Sequence, residues 1–135
     1  MKIKAERWYQ AVKDRSSRRQ FNSQIIEKRK IKKVQNLIAK INEEFEGLRI
    51  VLVQKEVEEI FTGIIGSYGK ITGAPAYLAF VGREDISNME EKIGYGGEAV
   101  ILEATALELG SCWVSGTFKS DKVLADLNLN QKEKL

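Results

Sequence analysis

The sequence contains no histidine. This excludes Ser-His-Asp and Cys-His catalysis and removes the usual zinc ligand sets. The sole cysteine, Cys112, cannot form a disulfide within the chain, so the expected setting is cytoplasmic. No apolar run approaches the roughly 20 residues that a membrane helix needs, which argues against a membrane protein. Met1-Lys2-Ile3-Lys4 leads into polar sequence and does not read as a signal peptide. With so little side-chain chemistry on offer, an enzymatic activity would draw its reactivity from a bound cofactor, and acid–base work would fall to carboxylates, tyrosines or lysines.

What is present suits a folded domain. The 135 residues are 43% hydrophobic, enough for a core and too apolar for wholesale disorder, and residues 1–135 read as a single domain. The net charge of +3 hides an asymmetry. Residues 1–40 hold 13 Lys/Arg against 3 Asp/Glu, and the remainder holds 9 against 16. Such a basic first third could face an anionic ligand or nucleic acid, or be helices with solvated lysine faces. It lacks the interleaved aromatics or recognition helix that a nucleic-acid surface would show, so nucleic acid is not the expected partner.

Periodicity predicts helices over about 3–13 and 27–42. In the second, Ile31, Val34, Leu37, Ile38 and Ile41 recur at helical spacing, and Gly47 ends the segment. Residues 49–53 read as a buried strand and residues 56–61 as a short helix. A glycine-rich stretch, Gly63, Gly66, Gly69 and Gly73, closes at Pro75. Residues 76–81 form the clearest strand. Residues 84–92 are helix-compatible, with Ser87 as cap. Residues 97–109 form a helix apolar nearly all round, hence central, with Gly110 as its stop. Residues 111–115 read as a strand or extended loop and residues 119–127 as a last helix capped by Ser120. The tail 128–135 is polar.

Two nucleotide motifs match only by letter. Near Gly69-Lys70, Ile64 occupies the place of the first P-loop glycine and Ile71 that of the Ser/Thr. Gly94-Tyr-Gly-Gly-Glu-Ala99 fits the dinucleotide fingerprint, yet polar residues precede it where that fold needs a buried strand. The run Arg15-Ser16-Ser17-Arg18-Arg19-Gln20-Phe21 is a better candidate. Its guanidinium groups and hydroxyls suit a phosphate, although Arg15 and Arg19 could instead pair with Asp14 or Glu27.

The run sits between two helices. Gly73-Ala-Pro-Ala-Tyr-Leu-Ala-Phe-Val81 follows later, and then the apolar segment from Gly94 to Leu-Gly-Ser-Cys-Trp-Val-Ser-Gly116. From about Glu6 to Leu127 this order resembles the nitroreductase family of FMN-dependent oxidoreductases. The resemblance implies an α+β fold, with a mixed β-sheet flanked by helices and the apolar helix at a homodimer interface. It also implies electron transfer from NAD(P)H through FMN to a small acceptor such as a nitroaromatic or quinone, with the flavin carrying the chemistry and no catalytic side chain or metal. By the same resemblance Arg15 and Ser17 would hold the phosphate and ribityl end, with Ser16 adding a contact. Arg19 would approach the pyrimidine edge, and Arg18 would face elsewhere. Trp113 and Val114 would pack beside the ring, with Ser115 and Gly116 near its reactive nitrogen.

The sequence departs from the family at three places. The family's usual phosphate-clamping basic pair lies beyond the position of Leu135, so the expectation is a C-terminally short domain. Its alternative function would be a flavin-binding or interaction module without turnover. Ser115 stands where an acidic residue is common, and only Ser67 or Tyr68 lies near the place of the pyrimidine-binding asparagine. Other residues have plainer readings. Cys112 is a small buried hydrophobe and Trp113 a packing residue, Tyr68 and Tyr95 line a pocket or a core, and Glu98 favours a helix N-terminus.

Overall fold

The computed structural model describes residues 1–61, 71–115 and 118–135. Gly63, Gly66, Ser67, Tyr68, Gly69, Lys70 and Gly116 lie outside these residues. Helix α1 (Ala5–Asp14) buries Trp8 and Ala11. Helix α2 (Lys28–Glu44) buries Ile31, Val34, Leu37, Ile38 and Ile41, the stripe its periodicity predicts. Burying each such side chain contributes roughly 1.5–3 kcal/mol before entropy is counted.

Strands β1 (Leu48–Val53) and β2 (Tyr77–Arg83) pair antiparallel from Leu48–Gly82 to Val53–Tyr77. Alternation along them separates two cores. Leu48, Ile50, Leu52, Leu78 and Phe80 face α1, α2 and the long helix α4 (Met89–Ala106). Val51, Ala79 and Val81 face Val57, Ile60, Phe61, Val123 and Leu127. This two-sided burial is why the strand sequences are continuously apolar. The second core is closed by the short helices α3 (Glu58–Phe61) and α5 (Ser120–Ala125), joined where the Lys119 amide donates to the Ile60 carbonyl at 2.8 Å.

Strand β1 is an edge, and α2 covers part of it with one side chain. Asn42 donates to the Ile50 carbonyl at 3.0 Å and accepts from the Ile50 amide at 2.7 Å. Both outward backbone groups of Ile50 are thereby satisfied.

Several boundaries differ from the sequence expectations. The polar and apolar helices between 84 and 109 are one helix, α4, whose polar first turns run straight into the buried part. Asn88, in the left-handed conformation, precedes it without a side-chain cap, so Ser87 is not the cap. The helix ends at Ala106, and Glu108 takes the left-handed conformation expected of Gly110. Lys119 precedes α5, and Ser120 is its first helical residue rather than its cap. The polar tail forms β3 (Glu133–Lys134), which pairs antiparallel with β2. Its partner Arg49 donates to both Glu133 carboxylate oxygens at 3.0 Å and to the Asn128 carbonyl at 2.8 Å. This long-range ion pair supplies what the tail lacks in apolar residues.

Helix α4 is central, packing on α1, α2, β1 and β2. No helix among the described residues is long and apolar enough to cross a membrane.

Candidate functional site

The arginine–serine run leaves α1 in extended conformation and is held between two distant segments. The Arg18 amide donates to the Ser111 carbonyl at 2.9 Å, and Ser17 and Ser111 form a parallel bridge. Farther along, the Thr72 amide donates to the Arg19 carbonyl at 2.9 Å and the Phe21 amide to the Thr72 carbonyl at 2.8 Å. Gln20 and Thr72 are the parallel pair there; both parallel bridges stand outside the three-stranded sheet, which is antiparallel among the described residues and not the mixed sheet expected. The run near residue 17 and the segment leading to Trp113, 96 positions away, thus become neighbours through backbone bonds, with the Arg18 side chain and the Phe21 ring packed against Gly110.

Extended backbone alternates its side chains. Arg18 and Gln20 line a cavity of about 1100 Å³, together with Phe80, Trp113, Val114 and Ser115. Arg15, Ser16, Ser17 and Arg19 are not among its lining residues. Arg15 is half-buried, whereas Ser16, Ser17 and Arg19 are exposed. No ion pair forms at Arg15 or Arg19 among the described residues. Asp14 accepts from Gln10, and Glu27 pairs with Arg29 and Lys30. Arg15 Nη1 and Ser111 Oγ are buried and find no hydrogen-bond partner among the described residues.

Trp113 is held from two sides. Its ring stacks on Phe80 with centroids 4.9 Å apart, and its Nε1 donates to Glu98 at 2.9 Å. Glu98 therefore orients an indole from mid-helix rather than serving a helix start. Gly97 makes room for this arrangement, since a Cβ there would lie 2.5 Å from Trp113 Cη2 and 2.9 Å from a Phe80 ring carbon. Val114 and Cys112 are half-buried, and Ser115 is exposed. Tyr95 is exposed, meets Phe45 edge-on at 5.9 Å and does not line the cavity. The dinucleotide-like Gly94–Ala99 run lies inside α4.

Sequence reasoning missed two polar groups. Tyr77 lines the cavity and donates from its hydroxyl to Asp126 at 2.6 Å, while Lys55 pairs with the same carboxylate at 3.0 Å. Burial and then the Asp126 hydrogen bond push the Tyr77 phenol well above its usual range, so it stays protonated. Glu103 is 1% exposed and accepts from Trp8 Nε1 at 2.7 Å; only its position within an apolar helix hinted at a buried carboxylate.

A central helix behind a short sheet, with an extended basic segment bridged to the loop after that helix, defines a mixed α+β architecture. The family described as "Putative TM nitroreductase" matches residues 7–135. The chain belongs to this nitroreductase family, whose members are oxidoreductases. It is similar in structure to a nitroreductase family protein from Clostridium novyi NT, with a TM-score of 0.71 at 17% identity, covering 94% of this chain and 79% of that one. A nitroreductase family protein from Clostridium difficile 630 aligns with a TM-score of 0.68 at 19% identity, covering 99% and 79%. At these identities the likeness establishes the fold. No curated protein matches the sequence significantly.

Proposed function

We propose that the chain is an FMN-dependent oxidoreductase passing electrons from NAD(P)H to a small acceptor such as a nitroaromatic or quinone. The observation that carries this reading is Arg15. Among the described residues its guanidinium has a buried nitrogen without a partner, on a segment that also carries Ser17 and is bridged to Ser111. An unpartnered buried donor is costly, and a phosphate or ribityl oxygen is the acceptor it suits. Arg15 therefore fits the phosphate or ribityl end of the cofactor.

In this reading Arg15 and Ser17 bind the phosphate and ribityl end, and Ser16 adds a contact. Arg19 places a permanent cation at the pyrimidine edge, where it favours negative charge on the reduced ring. When bound, FMN supplies the hydride and electron chemistry. Trp113 and Val114 flank the ring and exclude water, Trp113 being preorganised by Phe80 and Glu98. Ser115 supplies backbone beside it. The family's usual arrangement supports a homodimer with the site at its interface, and the lone cysteine supports a cytoplasmic setting.

The test is a visible spectrum of the purified protein with and without added FMN. The expected result is flavin absorbance that NADH or NADPH bleaches under anaerobic conditions. Affinity should fall by about tenfold or more in Arg15→Ala, the loss of one charge-assisted contact. Absence of flavin binding would overturn the proposal. Bound flavin that neither nicotinamide reduces would assign the chain a flavin-binding role without turnover.

A further inference from the structure

We infer that the chain has a second anion site, for a diphosphate group, between the amino-terminal arm, α1 and α2. A hollow of about 420 Å³ there is lined by Lys2, Lys4, Arg7, Lys33 and Lys40, with Asn36 and Glu103. It lies at the opposite end of α1 from Arg15, about 15 Å along a ten-residue helix.

The cations that line the hollow are exposed, and three features set it apart from a flat lysine face. First, it is concave and gathers cations from three stretches of chain. Lys33, Asn36 and Lys40 are spaced to share one face of α2, and α2 carries no acidic residue between Lys28 and Asn42 to balance them.

Second, the one carboxylate that lines it among the described residues is already engaged. Glu103 accepts from Trp8 Nε1 at 2.7 Å and from Lys4 at 3.3 Å, and Arg7 reaches it through Nε and Nη2 at 3.4 Å. Five cationic side chains thus face one buried negative charge. Glu103 also fixes Lys4 and Arg7 in the wall. Because Arg7 meets it with Nε and Nη2, Nη1 is left for another acceptor.

Third, Lys2, Lys33 and Lys40 form no ion pair among the described residues. Like charges crowded around a hollow repel one another, and a multiply charged anion relieves that repulsion. The volume lies at the lower end of the roughly 300–1,000 Å³ range for small-molecule sites, which suits a diphosphate or nucleoside diphosphate and not a nucleic-acid duplex.

The test titrates pyrophosphate, and separately ADP, into the purified protein by calorimetry at about 0.05 M ionic strength, where screening is weak. Saturable binding with one equivalent and a Kd below about 1 mM is expected. A Lys33→Glu/Lys40→Glu variant should bind at least about tenfold more weakly, with helical circular dichroism unchanged. A Lys28→Glu/Lys32→Glu variant, on the same helix but outside the hollow, should stay within about twofold. Pyrophosphate binding without a gain from ADP would place the recognition in the phosphates alone, as proposed. Three results would overturn the site: no saturable binding, equal weakening in both variants, or oligonucleotide affinity that exceeds that of ADP and grows with length.

Discussion

Trp8 Nε1 donates a 2.7 Å hydrogen bond to Glu103 Oε2 across 95 residues of sequence. The bond fastens α1 to α4 at Glu103, the one buried carboxylate among the described residues. Burial by itself would raise the Glu103 carboxyl pKa. The Trp8 hydrogen bond, then Lys4 and Arg7, outweigh it and hold it below the ordinary range. The pair fixes the first helix, and through it the start of the arginine–serine segment.

Replacing Glu103 by alanine leaves the Trp8 indole without its acceptor. Lys4 and Arg7 can return to water, because their side chains are 50% and 40% exposed. The expected loss is therefore about 1–3 kcal/mol, the cost of an orphaned buried donor, and not the larger cost of a stranded charge. Urea denaturation measures it.

The same group sets an acid limb. Its folded pKa is depressed, so between the folded and unfolded values the unfolded state binds more protons and stability rises with pH. The contribution is full above the unfolded glutamate value of about 4.3 and is lost as pH falls through the folded value. Glu103→Gln should flatten this part of the stability–pH profile relative to the unsubstituted protein. Parallel profiles would show that Glu103 does not titrate as its contacts require.

Gly97→Ala sets two effects against each other. Alanine gains about 1 kcal/mol of helix propensity, while overpacking against Trp113 and Phe80 costs about 1–3 kcal/mol. A small net loss is expected. The clearer readout is indole fluorescence, which should shift to the red as Trp113 is pushed off Phe80 into solvent.

Gly73 has φ of +77°, and a Cβ there would strike the Phe21 carbonyl. Its amide also donates to Glu58 at 2.7 Å. Gly73→Ala should cost about 1–2 kcal/mol from the left-handed conformation alone. It should also loosen the Thr72 bridges to Arg19 and Phe21, seen as faster hydrogen exchange at the Phe21 and Thr72 amides. Unchanged exchange would mean that Thr72 does not hold the segment.

Arg49→Lys retains the charge but cannot form the forked contact with Glu133. Amides in residues 128–135 should exchange faster, while β1 and β2 keep their protection. If the tail is unaffected, its two-residue pairing with β2 is sufficient to hold it.

Periodicity alone determined α1, α2 and the two long strands, because burial stripes repeat at 3.6 or fill both faces of a strand. It misplaced the start of α4, because exposed polar turns and a buried apolar stretch read as two elements although one backbone ladder runs through both. It overlooked β3, whose stability comes from Arg49 meeting Glu133 and not from local apolar content. The residues of the candidate site were legible as types: guanidinium and hydroxyl groups in a short run. Which of them sit together was not. The bridges from Ser17 to Ser111 and from Gln20 to Thr72, the indole seated over Gly97 and the carboxylate buried under Trp8 all join residues distant in the chain. Local pattern sets which face of an element is apolar. Only the packed tertiary structure decides which polar groups lose their water and must find one another.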